Sequence, residues 1–272
     1  MKMARRLADL IILIRGGGEV ASAIAHTLAR SHFRVCLTEV PYPQAVSRGV
    51  AYCEAIYDGE KEVEGVVAKS VSSIAEVFKV WAEDNIPIMV DPEASIKDSL
   101  HPEILIDAIM AKRNLGTKLS DAPLVIGIGP GFQAGRDVHV IVETNSSINL
   151  GKVILRGEAE EDTGIPIPIA GLTFARVLHS PQEGLFSSQK NIGDGISSGE
   201  VVAFVGKQPV TAEVGGILRG LIRDGLKVKR GTKLGEIDPL GAKEVCYSIR
   251  PKMRAIAGGV LEAILMHCNR DQ

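Results

Sequence analysis

The chain has 272 residues and a mass of 29.0 kDa, enough for one large domain or two ordinary ones and for a core that needs no disulfide or metal staple. Its 45% hydrophobic and 24% charged residues fit a globular protein. With 31 basic against 33 acidic residues, a net charge of −2 and only 4% aromatics, neither nucleic acid nor an anionic membrane is the expected partner.

The opening MKMARRLADLIILI holds an apolar run of five residues, 10–14, too short for a signal peptide or a membrane span. Cys36, Cys53, Cys246 and Cys268 have no metal-type spacing and read as reduced thiols of a cytoplasmic protein. The six histidines are scattered, so no metal site is expected. No Walker A, G-x-S-x-G or serine-triad pattern occurs.

The run 10–14 suits a parallel strand buried on both faces. Gly16-Gly17-Gly18-Glu19-Val20-Ala21 follows, then a helix to about Arg30 with Val20, Ile24 and Leu28 on one face. A second β-branched run, 34–38, ends at Glu39, 21 residues after Gly18. This is G-x-G-x-x-A with an acid at the dinucleotide spacing. Gly16 would permit the turn, Gly18 the approach of a pyrophosphate, and Ala21 close packing of helix on strand. Gly17, Glu19 and Val20 would add amides at the helix N-terminus. Glu39 would accept from a ribose diol and repel a 2′-phosphate, favouring NAD over NADP. Such a turn also closes a βαβ unit with nothing bound. Arg15 suits either a phosphate or a solvated strand end.

Further on, 63–67 reads as an edge strand. Ser73 and Glu76 form a capping box for a helix whose Ile74, Val77, Phe78 and Trp81 make a core-facing stripe. Strands follow at 86–90 and 104–106, with Asp91 and Asp107 at ligand-binding strand ends or as simple caps. The strand 124–128 runs into Gly129-Pro130-Gly131, which suits an anion-binding nest and a plain turn equally. A β run, 137–143, ends this half.

From about residue 148 short β runs take over. Gly184, Ile196 and Gly199 match Gly216, Val228 and Gly231 at a common offset of 32. The repeat is similar to the barrel-sandwich hybrid of lipoyl and biotinyl domains. Lys207 sits near their carrier position but lacks the flanking context, so a docking or structural module is expected. A helical apolar face, 255–266, closes the chain. Arg250, Lys252 and Arg254 would lower the pKa of Cys246 if close in space, making it the candidate reactive thiol; a buried structural cysteine is the alternative.

The expected fold is α/β: a Rossmann-like parallel-sheet domain, residues 1–147, binding a nucleotide or cofactor, followed by a smaller all-β barrel-sandwich-hybrid-like domain with a C-terminal helix, residues 148–272.

IRGGGEVASAIAHTLARS with TEVPYPQAVSR, then AIYDGEKEVEGVVA, GIGPGF…DVHVIVET, GILRGLIRDG and AIAGGVLEAIL together resemble the YqeB family, accessory proteins of the selenium-dependent molybdenum hydroxylase system. The N-terminal part is similar to the Rossmann domain of XdhC/CoxI-type maturation factors. The resemblance implies an accessory role in loading, modifying or protecting a molybdenum or selenium centre, with a hydroxylase apoenzyme or other maturation factors as partners. In place of the family's Arg-Gly-His segment stands Asn145-Ser-Ser-Ile-Asn149, which puts any cationic role there in doubt. A molybdopterin dinucleotide carries the pyrophosphate and ribose that the loop and Glu39 would recognise, and Cys246 would assist sulfur or selenium transfer. The alternatives are an NAD-dependent oxidoreductase and a structural or carrier scaffold with an empty nucleotide site. Self-association into a homo-oligomer is left open.

Overall fold

The computed structural model describes residues 7–269. They divide into two compact units. The first takes the chain up to Pro41, then Tyr52–Asp162 and the chain from Ile249; the second takes Tyr42–Ala51 and Thr163–Ser248. The division is not a single boundary at 147, because the last helix packs on the first helix of the chain and belongs with it.

The first unit opens with β1 (Ile11–Arg15), α1 (Glu19–Arg30) and β2 (Arg34–Glu39). Then come α2 (Ala55–Asp58), β3 (Glu60–Val63), β4 (Val66–Val71), α3 (Ile74–Ala82), β5 (Ile86–Val90), α4 (Lys97–Leu100), β6 (Ile104–Asp107) and β7 (Leu124–Ile128). The short strands β8 (Gln133–Ala134), β9 (Val140–Val142), β10 (Val153–Ile154) and β11 (Gly157–Glu158) and the helix α5 (Pro251–Cys268) complete it.

Nine strands form one sheet in the order β10-β9-β7-β6-β1-β2-β5-β4-β3. The strands from β9 to β4 run parallel, while both edge strands, β3 and β10, are antiparallel to their neighbours. Leu13 pairs in register with Cys36 and Leu105, and Leu105 with Val125. This row lies in one buried core with Val71, Val77 and Ile141, which is why these strands read as continuous apolar runs rather than alternating ones. The edge strand expected over 63–67 is instead a hairpin, β3 and β4, turning at Glu64 and Gly65 with positive φ.

Two details of α3 differ from expectation. Ser73 accepts from the amide of Glu76, but the Glu76 carboxylate reaches back to Ser72 rather than Ser73. Val77 and Val80 face the core whereas Phe78 is half exposed. Trp81 is partly buried and donates its indole N–H to the Val35 carbonyl at 2.7 Å. Gly259 lets α5 approach the carbonyl of Gly151.

The second unit contains β12 (Val177–His179), β13 (Gly184–Ser187), β14 (Gly195–Ile196), β15 (Val201–Val205), β16 (Gln208–Thr211), β17 (Gly216–Leu221), β18 (Lys227–Val228) and β19 (Lys233–Asp238). They form two four-stranded sheets, β12-β19-β17-β14 and β16-β15-β13-β18, paired antiparallel throughout. Adding 32 to the first residue of β13, β14 and β15 gives the first residue of β17, β18 and β19. The repeat therefore exchanges one sheet for the other, and both share one core built around Phe186, Leu218, Leu234 and Ile237.

The fold expectation is corrected on two counts. The first sheet is mixed and nine-stranded, not a parallel Rossmann-like sheet. The β-rich unit is not a self-contained barrel-sandwich hybrid after residue 148. It draws 42–51 from the middle of the first unit, and the Arg48 guanidinium and Val46 carbonyl of that segment bond to Leu221.

Candidate functional site

The C-terminal ends of β1, β2 and β6 meet at a cleft of about 470 Å³, lined by Arg15, Gly16, Glu39, Val40, Ile109 and Leu115 among others. Open α/β sheets bind ligands at such ends. Its floor is set by register: Arg15 pairs with Thr38 on one side and Asp107 on the other.

Arg15 does not sit at a solvated strand end; it lines the cleft from a buried position. It is buried, with its guanidinium 3.3 Å from the Asp107 carboxylate. Nη1 also donates to the Thr117 hydroxyl at 2.5 Å, and that hydroxyl donates to Asp107 at 2.6 Å. Nη2 donates to the carbonyls of Pro92 and Leu115 at 3.3 and 3.5 Å. A buried arginine is tolerated because a carboxylate and fixed acceptors replace its water. Asp107 is thus an ion-pair partner. Asp91 is a cap, accepting from the amide of Ile96 at 2.8 Å.

The glycine loop is held by the protein itself. Gly16 turns at φ +103, a conformation that favours glycine, and its amide donates to the Thr38 carbonyl at 2.8 Å. The Gly17 amide donates to Glu39 Oε2 at 2.8 Å. The Gly17 carbonyl accepts from the Cys53 amide and the Ser22 hydroxyl at 2.8 and 3.0 Å. A side chain at Gly17 would meet Cys53 and Ile88, whereas around Gly18 nothing lies within 4 Å of a Cβ position. Gly18 is the N-cap of α1 with an extended backbone, and Glu19 pairs with Arg250 at 3.3 Å. Gly17, Gly18, Glu19 and Val20 are not among the residues lining the cleft. The expectation that the whole loop presents bare amides is therefore corrected at Gly16 and Gly17.

Glu39 is fixed at both oxygens. Oε1 accepts from the Val40 amide at 2.8 Å and Oε2 from Gly17. Burial raises its pKa above the usual carboxylate range, and the Val40 and Gly17 amides oppose that rise. Each oxygen has a second lone pair for a ligand donor.

Gly129 and Gly131 do not line this cleft. The Gly129 amide donates to the Val142 carbonyl, and side chains at the two positions would run into Thr144 and the backbone of Arg113. This turn is packed against its own unit.

From sequence, Glu143 stands four residues from His139 on one strand face, too far for a metal pair, and its structural role is not foreseen. It is buried and accepts backbone N–H bonds from Thr144, Asn145 and Glu160, each at 2.7 Å. Ser147 and Asn149 bond to the Glu160 carboxylate, so the Asn145–Asn149 stretch organises a loop. A lone acid at a strand end gave no signal of this.

Cys246 lies in the second unit, buried, with its thiol 3.8 Å from the Leu218 carbonyl. Arg250, Lys252 and Arg254 belong to the first unit. Burial pushes the Cys246 thiol up, and Arg219 and Lys243 only partly offset this. Cys36 is pushed up to about 12. Thiolates, not thiols, react. Labelling the folded protein with a thiol-specific disulfide reagent near neutral pH should therefore leave Cys36, Cys53 and Cys246 intact and modify only the part-exposed Cys268. Rapid native labelling of Cys246 would refute this. Among the described residues no group of three or more His, Cys, Asp or Glu side chains is placed to hold a metal, and no helix is long and apolar enough to cross a membrane.

No protein-family model matches the chain. It is 43% identical over 266 residues, 98% of its length, to "Uncharacterized protein YqeB" of Escherichia coli strain K12. The match covers 49% of that protein, so the chain spans about half the length of the curated relative it matches. Among solved structures it is similar to the ectoine utilization protein EutE of Ruegeria pomeroyi (13% identity, 84% of this chain and 85% of that one, TM-score 0.25). It is also similar to a succinylglutamate desuccinylase/aspartoacylase of Rhodobacter sphaeroides (15%, 84% and 85%, TM-score 0.26). At these TM-scores the likeness assigns neither fold nor activity. The name of the curated relative carries no molybdenum, selenium or dehydrogenase chemistry. The expected accessory role in molybdenum hydroxylase maturation is corrected accordingly, together with the NAD-dependent oxidoreductase and empty-scaffold alternatives, and none is carried forward.

Proposed function

We propose, from the premise that the chain is a YqeB-family relative spanning about half of that protein's length, that its first unit binds a nucleoside. The ribose diol would lie on Glu39 and the base between Val40 and Leu115, as in the adenosine end of a dinucleotide such as NAD. One observation carries this reading: the Glu39 carboxylate is locked by two backbone amides at the rim of the strand-end cleft, with lone pairs left to accept from a diol. Val40 and Leu115 are both substantially exposed apolar side chains in that cleft. Stacking a base between them would remove apolar surface from water.

The charge balance favours a ligand without a 2′-phosphate. Arg15 is engaged by Asp107, and Glu39 and Glu93 are the acids lining the cleft. A phosphate on the ribose would meet like charge. The four free cysteines accord with a cytoplasmic location under the same proposal.

Calorimetric titration with adenosine, NAD and NADP tests it. Adenosine and NAD should bind and NADP should bind more weakly. Glu39→Ala should weaken NAD by about tenfold or more, the scale of one charge-assisted hydrogen bond lost. Affinity should rise with pH through a titration lying above that of an ordinary glutamate, because the diol donates to the ionised carboxylate and burial raises the pKa of Glu39 in the free protein. Equal affinity for NAD and NADP, or no response to Glu39→Ala, would reject the reading.

A further inference from the structure

We propose that the first unit carries a second ligand site, for a small organic anion with an apolar tail, in the cleft of about 320 Å³ formed by His139, Arg156 and His267 with the flanking apolar side chains. The cleft lies where the last turns of α5 meet β7, β9 and β10, and it shares no lining residue with the cleft at Glu39. Its volume is at the lower end of small-molecule sites.

The polar side chains of the cleft are two imidazoles and a guanidinium. His139 is fixed against β7: its backbone amide donates to the Val125 carbonyl at 2.9 Å, and its Nδ1 accepts from the Val125 amide at 3.0 Å. An Nδ1 that accepts carries no proton, so in the neutral ring the proton is on Nε2. The nitrogen left for a ligand is therefore a donor. Burial, and then the charge of His267, lower the pKa of His139, which favours its neutral form. His267 comes from the last turn of α5, and the exposed Arg156 from the stretch between β10 and β11. Among the described residues no carboxylate lines the cleft. The two imidazoles complete no metal cluster among the described residues. The His139 Nε2 donor and the Arg156 guanidinium, with the His267 ring beside them, suit a carboxylate or similar anion.

The rest of the cleft is Leu124, Val140, Val153, Leu155 and Met266. Leu155 is 43% exposed, and an apolar chain laid against it would be removed from water with it. Methionine adapts to the shape of such a chain.

Titration of the full chain with octanoate, using octanol as its neutral twin, tests the site. Octanoate should saturate one site, and octanol should bind more weakly. Arg156→Ala, at an exposed position that leaves the core intact, should weaken octanoate about tenfold. His267→Gln should also weaken it, while adenosine titrates as before in both variants. Binding should move the ring signals of His139 in NMR spectra. The proposal is overturned by absence of saturable octanoate binding, by equal affinity for octanol, or by undiminished binding in both variants. Because adenosine reports on the other cleft, failure here is distinct from failure of the nucleoside reading.

Discussion

Replacing Glu236 by glutamine is expected to destabilise the second unit by about 3–5 kcal/mol, the usual cost of removing one partner from a buried ion pair. Glu236 on β19 is almost fully buried. Its Oε1 lies 3.0 Å from Arg219 Nη1, and its Oε2 lies 3.6 Å from Arg176 Nη1 and 2.7 Å from Lys233 Nζ. Arg176 and Arg219 are themselves about 97% buried at their side chains, and burial works against the Arg176 cation. A glutamine keeps the shape but not the charge, so two guanidinium groups lose the carboxylate that offsets their desolvation. Lys233 is a different case. Its side chain is 43% exposed, so Lys233→Ala should cost less than about 1 kcal/mol. Urea unfolding of the three proteins, followed by a probe in the second unit, measures the contrast. A Glu236→Gln variant no weaker than Lys233→Ala would show that the cluster adds nothing as an ion network.

The second large effect is expected in the first unit. Asp107→Ala should cost a similar amount, about 3–5 kcal/mol. It leaves Arg15 buried without its carboxylate and takes an acceptor from the Thr117 hydroxyl. The cleft should suffer too, because Arg15 ties the carbonyls of Pro92 and Leu115 to its floor. NAD affinity should fall even where the variant is fully folded. The double variant Arg15→Met with Asp107→Leu removes both charges and should recover much of the stability, since apolar pairs of similar size often replace buried ion pairs at little cost. A double variant as unstable as Asp107→Ala would mean that the loss comes from packing rather than from an uncompensated charge.

Much of the molecule was legible from pattern. The apolar runs 10–14, 86–90, 104–106 and 124–128 became β1, β5, β6 and β7 within a residue at their ends, because a strand covered on both faces has no polar side to interrupt it. The offset of 32 between Gly184 and Gly216 became two sheets that exchange under the repeat. Ser73 capped α3 through the Glu76 amide. Of the candidate site residues, Gly16 and Glu39 line one cleft, whereas Gly129 and Gly131 do not and Cys246 is buried in the other unit. A glycine signals a permitted backbone, not whether a ligand or a neighbouring chain fills the space beside it.

Sequence alone located several strands, the start of α3 and the repeat of the second unit, because these follow from local periodicity and capping. Only the tertiary structure decided what the charged and glycine positions do. Arg15 found Asp107, 92 residues away, Glu236 found both arginines, and the Gly17 amide met the Glu39 carboxylate. Segment 42–51 joined the second unit, and α5 joined the first. A buried charge or amide must be satisfied by whichever partner folding brings to it, and that partner has no fixed distance along the chain.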